Sequence, residues 1–245
     1  SVVGEHVTIG AGTRVLSHVS IDGWTDIGER CELHPFVSVG GPPQHMQYKG
    51  EPTKVVIGHD NILREYVTVN RATVQGGGVT TVGHSNFLMA YVHVAHDCHL
   101  GNHLILANAA SLAGHISIGD HAIIGGLSGI HQFVRIGAYA MVGGCCALGQ
   151  DLPPFMRAAG GYRARMYGLN SIGLRRHGFS AERIAALKKA YEVLFRSGHR
   201  VAEAVKLARE QFGASQDVLQ VADFMQGTKR GICRSVGKDQ EGEEE

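Results

Sequence analysis

A chain of 245 residues is long enough for one or two domains with a large core. Its formal net charge of +1 gives no electrostatic case for nucleic acid or a membrane surface as partner. No apolar run approaches the ~20 residues needed for a membrane span. The opening SVVGEHVTIG has neither the basic nor the apolar region of a signal peptide. The five cysteines, Cys31, Cys98, Cys145, Cys146 and Cys233, are odd in number and form no CxxC pair. That argues against a disulfide framework or a structural zinc site and fits a reducing cytoplasm. The chain has no initiator methionine and opens inside a repeat, so residues are expected to be missing upstream.

From the first residues an aliphatic recurs every six positions: Val3, Ile9, Val15, Ile21, Ile27, Leu33 and Val39. The step returns at Ile57, Leu63 and Val69. It then runs unbroken from Val82 through Leu88, Val94, Leu100, Leu106, Leu112, Ile118, Ile124, Ile130, Ile136 and Val142 to Leu148. At 3.6 residues per turn a helix would scatter these side chains around its surface. Short period-two strands joined by turns keep them together, and the glycines that often follow the aliphatic are expected to supply the turn conformations. Hexapeptide repetition is a signature of the parallel β-helix. Three hexads per coil make a triangular prism over residues 1–152, in which residues eighteen apart stack.

Two interruptions, 41–54 and 71–81, read as loops projecting from the prism, a common location for function. Residues 153–235 follow as a connector and a small helical domain. Ser180 is a plausible N-cap; Ile184, Leu187, Tyr191 and Leu194 form one face; and Gly198 is a stop signal. Further helical patterns run over about 201–212 and 216–225. The last residues, 236–245, read as a disordered acidic tail.

The stretch LMAYVHVAHDCHL places His93, His96 and His99 three apart. Three roles are open to such histidines on a prism: zinc ligands, a general base, or ordinary exposed residues. Zinc needs imidazoles that converge at ~2.0 Å. His93 and His99, six apart, fall on different faces. His96 stacks over Gly114, and only approximately over His115 and, further off, His131, so the spacing is poor for zinc. His59, His84, His103 and His121 lie near turns and read as surface residues. His93, His96, His115 and His131 stand out because each is read as lying in a strand segment beside small residues that leave room for a ligand.

AHDCHLGN, ILANAASLAGHISIGDHAIIGG, IHQFVRIGAYAMVGG and GLRRHGFS, with YKGEPT and TVQGGG in the loops, resemble the UDP-N-acetylglucosamine O-acyltransferases of lipid A synthesis. The resemblance covers nearly the whole chain. It implies a left-handed coil, a homotrimer with sites between adjacent prisms, and no cofactor. It also implies transfer of an (R)-3-hydroxyacyl chain from acyl carrier protein to the 3-hydroxyl of the nucleotide sugar. By motif match, His96 is the general base, Asp97 its orienting carboxylate and the Gly114 N–H the oxyanion donor. Since neighbours in a strand point to opposite faces, the His96–Asp97 pairing requires a bend. His93, His115, His131 and Gln132 match substrate-binding positions. Asn170 and Arg176 match positions that hold the phosphopantetheine or a substrate phosphate. Gly144 matches the position that limits acyl length and, lacking a side chain, implies a long chain of the 3-hydroxymyristoyl class. Cys145 and Cys146 are expected to be small apolar fillers.

The chain departs from the family where HMQY stands in place of DLKY, so that His45 and Gln47 replace an acid and a lysine that usually meet the sugar and nucleotide. Ala72 replaces a common glycine, and His177 a common second arginine. The HMQY change leaves open an acceptor whose 3-hydroxyl is replaced by an amine, and a zinc hydratase on the same prism is the reading from a different class.

Overall fold

The computed structural model describes residues 1–235; the expected acidic tail lies outside them. Most of the chain is a left-handed parallel β-helix. Its strands, mostly two residues long, form three parallel faces. The first face includes His93–Val94, the second His99–Leu100 and the third Ile105–Leu106. Register follows the eighteen-residue step: His93 pairs with Ser111 and Ser111 with Gly129. His93 and His99 accordingly lie on different faces. The two interruptions appear as longer steps, Ser38 to Thr68 and Thr68 to His93. Both excursions end in strands, Lys54–Ile57 and Val79–Val82, so the second loop is shorter than the sequence pattern implies.

The aliphatics of the repeat point inward and are buried from Ile21 onward, whereas Val3, in the first described coil, is exposed. A second inward position, four residues after each aliphatic, escapes the sequence pattern because its occupants are chemically mixed. It holds Cys98, Leu104, Ala110, Ile116, Ala122, Val134, Ala140 and Cys146, all buried. This accounts for three buried cysteines, Cys31 among them. Cys145, by contrast, is exposed at a corner and is not a filler. The Cys98 thiol, pushed up to about 12 by burial, donates to the Ala113 carbonyl and is inert at neutral pH.

The expected role of glycine in the turns is corrected by the structure. At the corners the left-handed backbone is carried mostly by other residues, from His18 and Phe36 through Asp97, His115 and Phe133 to Cys145. None of the described positive-φ non-glycine residues is Val, Ile or Thr, the types for which that conformation costs most. The glycines after the aliphatics serve close approach between coils. A Cβ at Gly28 would lie 2.6 Å from the Gly58 carbonyl, and one at Gly83 2.5 Å from the Gly101 oxygen. Corner side chains stack along the prism, as in Phe36–Tyr66–Tyr91 with ring centroids 4.9 and 4.8 Å apart. His59 and His84 stack likewise, and each Nδ1 accepts from a backbone N–H of the coil before it, so these histidines tie coils together.

The segment after Leu148 is more than a connector. Met156–Ala159 extends the third face in parallel, and Arg165–Leu169 returns antiparallel to close that edge. Four helices follow: α1 (Ser171–Arg176), α2 (Ala181–Tyr191), α3 (Val201–Phe212) and α4 (Gln216–Gln226), with α2 running on into a π-type turn at Glu192–Arg196. Ser180 caps α2 by accepting from the Arg183 N–H, and Ile184, Leu187 and Leu194 are buried. Arg135 joins prism to helices: it pairs with buried Asp151, donates to the Phe224 carbonyl and lies over the Phe224 ring.

The glycine contacts predict a selective cost. Gly28→Ala should destabilise the protein by roughly 1–3 kcal/mol through overpacking. Gly161→Ala, with nothing within 4 Å of its added Cβ, should leave stability unchanged. Chemical denaturation of the two variants checks this.

Candidate active site

The corner between the first and second faces gathers several of the expected site residues. His96 and Asp97 occupy the turn between His93–Val94 and His99–Leu100, not a strand. Asp97 has φ of 61°, which supplies the bend that lets consecutive side chains meet. His96 Nδ1 lies 2.7 Å from Asp97 Oδ2. With Nδ1 donating to the carboxylate, Nε2 keeps a free lone pair. Both groups are nearly removed from solvent, at 8% and 1% exposure. The rest of the carboxylate is held by the second excursion: the Thr73 N–H donates to Oδ1 at 2.9 Å and the Thr73 hydroxyl to Oδ2 at 2.7 Å. The Asp97 N–H in turn donates to the Thr80 hydroxyl.

Other imidazoles surround this pair. His115, also in a turn, sits one coil further on, with its ring edge-on to His96 and Nε2 3.6 Å from Asp97 Oδ2. His45, from the first excursion, meets the His96 ring edge-on at 5.4 Å, and its Nδ1 is buried without a hydrogen-bond partner among the described residues. His93 is fixed by a 2.7 Å hydrogen bond between Nδ1 and the Thr68 hydroxyl. Burial holds the His93 pKa below the ordinary imidazole value, with the nearby His96 adding to the effect. His115 is also lowered, chiefly by burial; the Asp97 carboxylate opposes the shift, while His96, His45 and His99 reinforce it.

His96 borders a groove of about 720 Å³ along the first face. Its floor is small and apolar, with Ala113, Gly129, Ile130 and Ala147 among its residues, and His93, His131 and Gln132 also line it. Gly114 is required by space: a Cβ there would lie 2.5 Å from His96 Cε1. Its N–H has no protein acceptor among the described residues, which leaves it available to a ligand.

The chain does not bring every expected residue to this groove. Asn170 caps α1 at a different corner; its side-chain oxygen accepts from the Gly173 N–H and its amide donates to the Tyr139 carbonyl. Arg176, at the exposed end of the same helix, lines no part of the groove. Gln47 is exposed. Gly144 lies beyond the lining, and a Cβ there would have only the Gly126 oxygen nearby, at 3.4 Å. His177, in place of an arginine, packs edge-on against His121 and Tyr139.

Several residues escaped the sequence reading. Gln44, Tyr162 and Arg163 line the groove from irregular segments that carry no periodic signal. Thr73 and Thr80 were visible only as part of an interruption. The expected poor convergence for a metal is also corrected: donor atoms of His96, Asp97 and His115 lie within 4.8 Å of one another. The corner turn joins His96 to Asp97, and His115 stacks eighteen residues on from Asp97. The Asp97 oxygen in this group already accepts from both Thr73 and His96.

Comparison with known proteins fits this geometry. Residues 151–233 match the family model described as UDP N-acetylglucosamine O-acyltransferase, domain 2. The chain is 54% identical over 233 residues to an acyl–acyl-carrier-protein–UDP-N-acetylglucosamine O-acyltransferase of Thermodesulfovibrio yellowstonii, covering 95% of this chain and 90% of the relative. It is 47% identical to one from Syntrophobacter fumaroxidans, covering 96% and 91%. Among solved structures, UDP-N-acetylglucosamine O-acyltransferase from Moraxella catarrhalis superposes with a TM-score of 0.92 at 42% identity, covering 95% and 90% of the two chains. The Francisella novicida UDP-N-acetylglucosamine acyltransferase gives 0.92 at 36% identity, covering 96% and 86%.

The lowered histidines set a pH dependence. His93, His115 and His121 all have folded-state pKa values below the ordinary 6.5. As pH falls through about 6.5 the unfolded chain takes up protons that these folded-state sites resist, so their stabilising contribution, present above that pH, declines in acid. Denaturation free energies should fall between pH 7 and pH 5, and NMR titration should place the His93 midpoint below 6.5.

Proposed function

The chain belongs to the UDP-N-acetylglucosamine O-acyltransferase family, and from that premise we propose that His96 is its general base, oriented by Asp97. The family reaction transfers an acyl chain from acyl carrier protein to UDP-N-acetylglucosamine, at the start of lipid A synthesis. The observation that carries the assignment is the 2.7 Å hydrogen bond from His96 Nδ1 to buried Asp97, at the edge of an apolar groove.

A sugar hydroxyl is a weak nucleophile and must lose its proton as it attacks. His96 Nε2 takes the proton of the 3-hydroxyl while that oxygen bonds to the thioester carbonyl carbon. The imidazolium formed is stabilised by Asp97. The negative oxygen of the tetrahedral intermediate is held by the Gly114 N–H. Collapse breaks the carbon–sulfur bond, and the proton on His96 passes to the leaving phosphopantetheine thiolate. His93, His115, His131 and Gln132 line or border the path and position the acceptor and the acyl chain. The small residues of the groove floor and Gly144 leave room for a long (R)-3-hydroxyacyl chain.

The functional unit in this reading is a homotrimer. Asn170 and Arg176 sit at a corner remote from His96 on their own chain, so they serve a site formed with a neighbouring copy, where Arg176 meets a phosphate through its forked donors. Gln47 serves such an inter-subunit site in the same way. No described helix is long and apolar enough to cross a membrane.

The position of His45 favours a second acceptor, the 3-amino analogue. An imidazole facing His96, where the family has a carboxylate, lacks the negative charge that would hold an amine as its unreactive ammonium form. Supplying (R)-3-hydroxymyristoyl acyl carrier protein with either nucleotide sugar, and reading products by mass spectrometry, tests both points. His96→Ala should lower kcat by roughly 10²–10⁴-fold. An amine rate above the hydroxyl rate supports the role of His45; an equal or higher rate on plain UDP-N-acetylglucosamine counts against it.

A further inference from the structure

The second excursion has no assigned role, yet it touches the reacting centre at one point. Thr73 uses both its backbone N–H and its hydroxyl on the two oxygens of Asp97. The hydroxyl also accepts from the Gly76 N–H at 3.1 Å, which closes the loop upon itself. Gly76 packs so tightly on the carboxylate that a Cβ there would lie 2.0 Å from Asp97 Cγ. Thr80, where the excursion rejoins the prism, accepts from the Asp97 N–H at 2.8 Å. Thr73 and Gly76 thus confine the carboxylate itself while Thr80 holds the backbone of the same residue, and Thr73 and Thr80 are themselves buried.

A carboxylate at a turn of left-handed backbone could otherwise point outward along the corner, as the ring of Phe133 does two coils further on. Turned that way it would leave His96 Nδ1 without an acceptor and free the imidazole to rotate or change tautomer. We infer that the 71–81 excursion locks the Asp97 carboxylate onto His96, and that Thr73 is a positioning residue for the general base. This rests on the His96–Asp97 assignment above. Thr73 touches no reacting atom; it acts through Asp97. A misplacement of about 1 Å at such a centre can cost ~10²-fold in rate.

The test is a double-mutant cycle on acyl-transfer kinetics, with Thr73→Val, Thr73→Ser, Asp97→Asn and the pair Thr73→Val/Asp97→Asn. Thr73→Val should lower kcat roughly ten- to a hundredfold with little change in the acceptor KM. Thr73→Ser, which keeps the hydroxyl, should stay near the wild-type rate. On the Asp97→Asn background Thr73→Val should cost almost nothing, because the group it positions is already lost. A merely structural threonine would cost the same on both backgrounds, and that result, or an unchanged kcat in Thr73→Val, overturns the inference. If Thr73→Val does not fold, Thr73→Ala removes the hydroxyl without added bulk and is read in the same cycle. The two readings fail separately. An unaffected Asp97→Asn enzyme refutes the base assignment, and with it this inference. A slow Asp97→Asn enzyme beside a fast Thr73→Val enzyme refutes only the positioning role.

Discussion

The architecture depends on one repeated constraint: each coil, whatever the length of its excursions, must return to its starting face in register so that its backbone can bond to the coil before it. Parallel pairing leaves no tolerance for drift, because a one-residue slip would turn every inward side chain outward. The left-handed corners make the return possible. They exclude β-branched side chains at one position and admit His, Asp, Tyr and Phe there. The corner that carries His96 and Asp97 is an instance of this rule. Asp97 occupies a position where the fold commonly adopts positive φ, and the bend that joins it to His96 recurs at the corners from His103 through Cys145.

Charge and burial within the site follow from the same geometry. Stacked corners place His96, Gly114 and Gln132 in one column and Asp97, His115 and Phe133 in the next. His96 and His115 therefore meet a single buried carboxylate, with His45 of the first excursion against the His96 ring and His93 close by. Desolvation favours the neutral form of His93 and His115, and Asp97 is paired with His96. The surrounding histidines can donate or accept hydrogen bonds to a polar substrate without adding net charge to an apolar groove.

The prism was legible in the sequence because its inward aliphatics are chemically uniform and evenly spaced. The second inward position was not, because Cys98, Ala110 and Ile116 share only smallness or apolarity. The glycines were visible but misread: their spacing resembles that of turn residues, while their use is contact between coils. In the site, the motif around His96 and Asp97 could be found, together with the need for a bend. The grip of Thr73 and Thr80 could not, since it joins residues seventeen or more apart through an excursion without periodicity. Asn170 and Arg176 were matched by motif, but sequence carries no information on which corner α1 would cover.

The stacked coils have a further consequence. Each coil touches only its immediate neighbours, so the prism behaves as a one-dimensional array whose cohesion is a sum of nearest-neighbour interfaces. At one end the antiparallel strand Arg165–Leu169 and the helices seal the stack. A destabilising change in one coil is then felt mainly by the coils on either side of it, so the coils bearing Thr73, His96 and His115 depend most on their immediate neighbours.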